Sequence, residues 1–249
     1  MLLILDDLGI HAKYYRELSL LSGKPPGRDS YPGDIFYQHA RILERAGRFN
    51  KTAGGGSITA LPVIETNLDD FTSYMVTNLM SMTDGHLLFN SKRYHQGIYP
   101  AIDSALSVTR VGRQTQGLIQ KLLADKIKVI LAQNQKLESL SRFGSEISAQ
   151  SKLVIKQAQE TELILNQLPN ANLPLPLQII LLGLVFTPFL IPKKAEFLEK
   201  NKPVIIMWLK QNINQVELSK QLENIKDFNK FVLLLNKLIP KLEEVCPKS

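Results

Sequence analysis

A change of hydrophobic period near Gln116 constrains the fold of this 249-residue chain more than any other feature. Upstream of it, short apolar runs alternate with Pro- and Gly-bearing turns. Downstream, apolar residues recur at helical spacing. Leu2 to Leu5 reads as a buried strand and Leu8 to Leu21 as a helix. The turns Lys24-Pro25-Pro26-Gly27-Arg28 and Tyr31-Pro32-Gly33-Asp34 then precede a second helical stretch, Ile35 to Phe49, with Phe36, Ala40, Leu43 and Ala46 or Gly47 at helical spacing. Gly54-Gly55-Gly56-Ser57 breaks the chain before a strand-like segment, Ile58 to Ile64. Helices alternating with buried strands predict an α/β layer with a mostly parallel sheet. Past the switch, Leu118, Leu122, Leu123, Ile127, Ile130 and Leu131 mark a long helix, and a polar-rich helix spans Ile147 to Leu168. After the Pro-rich connection Leu168 to Pro176, helices are expected over Leu177 to Phe186, Lys202 to Ile213 and Phe228 to Leu242. Residues 1–116 are thus read as an α/β domain and 117–249 as an all-α domain.

Composition narrows the class. A hydrophobic fraction of 44% suits a packed globular protein. The formal charge of +7 comes from lysines and arginines scattered among acids. That is a solvated surface rather than the basic stripe with interleaved aromatics of a nucleic-acid binder. The run Leu177 to Ile191 is interrupted by Gln178 and Pro188 and falls short of the roughly 20 residues that span a bilayer, so it reads as a buried helix. The start, Met1 to Leu5 followed by Asp6 and Asp7, is unlike a signal peptide. The single cysteine, Cys246, has no internal disulfide partner, is expected in a frayed tail, and fits a reducing compartment.

Few residues stand out chemically. Asp6 and Asp7 follow a strand, where a carboxylate can hold magnesium through oxygen or water. The same pair can equally cap the helix that begins at Leu8. Gly54 to Ser57 lacks the Lys-Ser/Thr ending of a phosphate loop and reads as a tight turn. His11, His39, His86 and His95 lack metal-ligand spacing. Ser107, Thr109 and Arg110 fall near the end of the strand-like stretch Ile102 to Val108. A planar, permanently charged guanidinium there suits phosphoryl charge. An ordinary surface ion pair is the other reading, Arg113 complicates the choice, and Arg28 and Arg41 read as salt-bridge partners.

Several stretches, in one order, resemble the alpha subunits of F-type ATP synthases: Leu5-Asp6-Asp7-Leu8; Pro25-Pro26-Gly27-Arg28 with Tyr31-Pro32-Gly33-Asp34; Gly54 to Ser57; Thr59 to Thr66; Ser81 to His86; Pro100 to Gly112; and Phe143-Gly144-Ser145. The likeness is strongest over residues 1 to about 170. The ending Glu65-Thr66 resembles alpha rather than the beta subunit or the export ATPases of flagella. The resemblance implies part of a RecA-like P-loop nucleotide-binding α/β domain followed by a helical domain, without the β-barrel and phosphate loop that open a whole subunit. It implies Arg110 as an arginine finger for the adjacent beta subunit's catalytic site, and Ser107 as the serine three residues earlier that activity requires. It implies Asp6 as an acid positioning magnesium, and Gln167 as the first of two adenine-bordering glutamines. ATP or ADP with Mg2+ would be the cofactors, bound only in the complete subunit and complex. The beta subunit, the gamma stalk and the delta or peripheral stalk would be the partners, with no nucleic acid and no membrane span.

Departures accompany the likeness. Pro169 stands at the second glutamine, Tyr99 at the arginine before Pro100, and Gly112 to Gln116 replaces a run of small residues. These predict an altered adenine pocket. The implied place is the cytoplasmic face of a bacterial plasma membrane, or a mitochondrial or plastid counterpart. No independent activity is expected of the chain alone. A hexameric protein-export ATPase and a non-functional truncated or split gene product remain the alternatives.

Overall fold

The computed structural model describes residues 1–66, 70–141, 148–168 and 170–246. The chain forms two compact units, residues 1–96 with 101–112, and residues 97–100 with 113–249.

In the first unit, strand β1 (Leu2–Leu5) pairs in parallel with β3 (Ser57–Pro62), Leu2 opposite Thr59 and Leu5 opposite Pro62. Strand β2 (Gly47–Arg48) pairs antiparallel on the other side of β3, giving the order β1-β3-β2. Strands β4 (Gly85–Phe89) and β5 (Ile102–Thr109), with the short helix α4 (Ser91–His95) between them in the chain, form a separate antiparallel pair. Among the described residues the sheets are therefore small and mixed, not mostly parallel. The loop between β2 and β3 is the reason on one side, because strands joined by so short a connection can only run antiparallel. Its reversal uses Gly54, Gly55 and Gly56 at φ of 89°, 66° and 100°, a left-handed succession that only glycines adopt without strain. The same pairing of Gly47 and Arg48 ends helix α2 (Ile35–Leu43) earlier than the predicted Phe49.

Helix α1 (Leu8–Leu21) starts on Asp7, whose Oδ1 accepts from the Ile10 amide at 2.5 Å. Its face packs with α2 and α3 (Tyr74–Met82): Leu8, Leu43 and Leu79 form one cluster, and Ala12, Ile35 and Met75 another. Strand β1 departs from its expected burial. Leu2 and Ile4 are each 59% exposed, because they alternate onto one face of the sheet, beside exposed Thr59 and Leu61 of β3, and that face is left uncovered.

The second unit is helical: α5 (Leu118–Ser141), α6 (Ala149–Leu165), α7 (Leu175–Gly183), α8 (Ala195–Asn212), α9 (Gln215–Asn224), α10 (Phe228–Asn236) and α11 (Ile239–Val245). Its single core is built on the apolar run of the sequence, with Leu177, Ile180, Leu184, Phe189 and Leu190 buried against Leu198, Ile205, Leu209, Phe231 and Leu235. No helix among the described residues is long and apolar enough to cross a membrane. Gly183 sets how closely α7 and α10 approach, since a Cβ there would lie 2.7 Å from Phe231 and Leu235. Cys246 is not frayed. It is buried where α11 ends in this core, and burial raises its thiol pKa.

His39 in the first unit and Glu160 in the second are buried titratable groups with opposite consequences. His39 on α2 is fully buried, its Nε2 lies 3.0 Å from His11 Nδ1, and burial with the His11 charge lowers its pKa to about 4. The unfolded imidazole titrates near 6.5, so this contribution is complete above that pH and fades as pH falls towards 4, by about 3 kcal/mol in all. On α6, Glu160 is fully buried with Oε1 3.5 Å from Lys156 Nζ, and burial raises its pKa to about 7. Its protonated form is favoured in the fold, so that contribution is complete below about 4.5 and is lost as pH rises through 7. Denaturation followed through Trp208 should therefore show the helical unit becoming more stable from pH 8 to pH 5, with Glu160→Gln removing the trend. Imidazole NMR should find His39 still neutral at pH 5.5.

Candidate functional site

The hairpin β4–β5 presents Arg110 through a chain of local constraints. Gly85 pairs opposite Thr109, and a Cβ on Gly85 would lie 2.4 Å from the Val108 carbonyl oxygen. A glycine here lets the strands close. The ladder is irregular between His86 and Leu88. Ser107 bridges that irregularity, its Oγ donating to the Asp103 carbonyl at 2.5 Å and accepting from the Leu88 amide at 3.0 Å. Asp103 Oδ1 accepts from the amides of Ala105 and Leu106, and His86 Nε2 lies 2.9 Å from the Leu106 carbonyl oxygen. Ser107 is thus built into the strand backbone three residues before Arg110.

Beyond the strand, the Arg110 amide donates to Asp84 O at 2.7 Å. Its Nη1 donates to Ser81 O at 2.8 Å and Nη2 to Met80 O at 3.1 Å. These carbonyls belong to the last turn of α3, where helix acceptors lack intrahelical partners and the dipole is negative. The guanidinium is oriented without a carboxylate, so its charge is not neutralised by an ion pair among the described residues. Two of its five donors are engaged and Arg110 is exposed. It is a fixed cation with donors to spare. Arg113 is the residue that forms an ion pair, with Nη1 2.5 Å from Asp125 Oδ1. Arg28 and Arg41 are not salt-bridge partners among the described residues; they lie over the rings of Tyr74 and Tyr37, at 5.0 and 5.5 Å.

The two N-terminal acids divide their tasks. Asp7 caps α1, while Asp6 is exposed at the carboxyl end of β1. No group of three potential ligands occurs among the described residues. A lone carboxylate still suits magnesium, which is commonly held by one or two carboxylates together with phosphate and water. Gly54 to Ser57 forms the β2–β3 turn. In the helical unit, exposed Gln167 follows α6, and its amide donates to Tyr99 O at 2.8 Å. Asn166 Oδ1 accepts from the Tyr99 amide at 2.9 Å and its Nδ2 donates to Gly97 O at 3.2 Å. The segment holding Tyr99 is thus pinned beside Gln167. Pro169 and Phe143-Gly144-Ser145 lie outside the described residues.

The sequence singles out Arg110 and Asp6 as candidates but does not show what orients the arginine. Its guanidinium's partners are main-chain carbonyls 29 and 30 residues upstream, and no side-chain pattern encodes them. The meeting of His11 with His39 was also missed, although His39 shares the buried face of α2 with Ile35 and Leu43.

Comparison with known proteins is consistent across both units. Residues 1–109 match the ATP synthase alpha/beta family, nucleotide-binding domain, and residues 116–239 match the ATP synthase alpha/beta chain, C terminal domain. The chain is 47% identical over 180 residues to the ATP synthase subunit alpha of Acholeplasma laidlawii, covering 72% of this chain and 36% of that one. It is 40% identical over 229 residues to that of Mycoplasma mycoides subsp. mycoides and 39% over 233 residues to that of Lacticaseibacillus casei. Each alignment covers 92% of this chain, and 44% and 45% of the relative. The chain therefore spans less than half the length of these curated relatives.

Proposed function

The chain belongs to the ATP synthase alpha/beta family as part of an alpha subunit, and from that premise we propose that it supplies an arginine in trans to a catalytic site on a neighbouring beta subunit. The activity served is ATP synthesis or hydrolysis coupled to proton transport. The observation that carries this reading is Arg110 itself: exposed, anchored to α3 carbonyls through Nη1 and Nη2, and paired with no acid among the described residues. Such a guanidinium stabilises charge on a transferring phosphoryl group. Ser107 is proposed as a positioning residue, holding the β5 irregularity that fixes where the strand ends.

Asp6 is proposed to orient magnesium, through water or directly, in a nucleotide site of the chain's own subunit. A bound magnesium nucleotide would supply neutralisation of phosphate charge there. Gln167 would border the adenine, beside Tyr99, which stands where the family pattern has an arginine. The beta subunit, gamma stalk and peripheral stalk are the proposed partners, and the cytoplasmic periphery of a bacterial plasma membrane the proposed place. Co-expression tests the assignment. Co-purification with beta and gamma subunits is the expected outcome, whereas a homohexamer without them would favour an export ATPase and contradict it.

A further inference from the structure

We propose that a cavity in the helical unit, between the carboxyl end of α6, α7 and one face of α8, binds an aliphatic carboxylate such as a medium-chain fatty acid. The cavity measures about 670 Å³, within the range of small-molecule sites, which are mostly apolar with a few convergent polar groups. Ile164, Leu181 and Ile206 line it, and Met207 stands at its mouth, 61% exposed. Such a wall is matched by a hydrocarbon chain, and Gln167, which also lines the cavity, is the residue it shares with the proposed adenine contact.

The polar groups set the other end of the ligand. Lys202 and Lys210 line the same cavity against one acid, Glu199, which leaves an excess of one positive charge. Lys202 Nζ is held in place, donating to Leu163 O at 2.6 Å and to Asn166 O. An ammonium has three donors, so two are committed to the end of α6 and a third can meet a carboxylate. Burial lowers the Lys202 pKa, the signature of a cation drawn into apolar surroundings. A carboxylate at that position would compensate it. The preference is therefore for an anion over a neutral chain of equal length.

Calorimetric titration of the purified chain with laurate, below its micelle concentration, tests this. One-to-one saturable binding is expected, with a dissociation constant on the order of 10–100 µM for a ligand of this size, and dodecanol should bind at least several-fold more weakly. Met207→Glu, at an exposed position that leaves the fold intact, should weaken laurate binding about tenfold or more by placing a like charge at the mouth. Lys210→Gln should narrow the gap between laurate and dodecanol. Absence of a saturable isotherm, equal affinity for laurate and dodecanol, or undiminished binding by Met207→Glu would each overturn the proposal.

Discussion

Replacing Arg110 by alanine in a full-length, assembled enzyme should lower the turnover of ATP by about 10³ or more, the usual consequence of removing an arginine finger, while leaving assembly intact. The separation of effects follows from the geometry. Arg110 is exposed and its side-chain partners are carbonyls at the end of α3, which water can satisfy once the guanidinium is gone. The loss of two such bonds from an exposed position should cost stability about 1 kcal/mol. Arg110→Lys keeps the charge but lacks the planar fork that reaches two carbonyls while presenting further donors. It should assemble normally and recover only a small part of the rate. Steady-state hydrolysis alongside size-exclusion chromatography checks both variants, and near-normal turnover by Arg110→Ala would count against the proposed role.

Phe231→Ala should be the most damaging single truncation in the helical unit, destabilising it by about 3–5 kcal/mol. The ring is fully buried, meets Phe228 at 5.9 Å between centroids, and lies against the bare Cα face of Gly183. Against a typical total stability of 5–15 kcal/mol, such a loss is a large fraction of what holds a domain together. Leu233→Ala on the same helix is the control: 61% exposed, it should shift stability by about 0.5 kcal/mol or less. Urea denaturation read through Trp208 measures both. Gly183→Ala should also destabilise the native protein, and by less in a Phe231→Ala background, because the atoms its methyl group would strike are then missing. A double-mutant cycle isolates that coupling.

The helical unit was the more legible in the sequence, for a physical reason. Its helices carry apolar residues at local spacing, so Leu177 to Leu190 marks the core by composition alone. The first unit depends on pairing between distant segments. That Ile35 begins a helix is local information, but that the helix ends at Leu43 depends on Gly47 and Arg48 joining β3. The apolar run Leu2 to Leu5 marks a strand without saying whether its faces are covered, and two of its side chains are exposed. Cys246 was misplaced for the converse reason, since nearness to the end of the sequence does not report that α11 is folded into a core. At the candidate site the residue types were readable and their anchors were not. An arginine near a strand end is visible in sequence, whereas the helix terminus that aims it becomes visible only once β5 and α3 are adjacent.

In the proposed role the Arg110 guanidinium faces phosphate held by another subunit. A cryo-EM map of the complete assembly with a bound nucleoside triphosphate measures this directly. An Arg110 Nη atom is expected within about 3 Å of a phosphoryl oxygen on the neighbouring subunit, with contact to the α3 carbonyls retained or exchanged for it. A guanidinium turned away from every bound phosphate in all copies would contradict it.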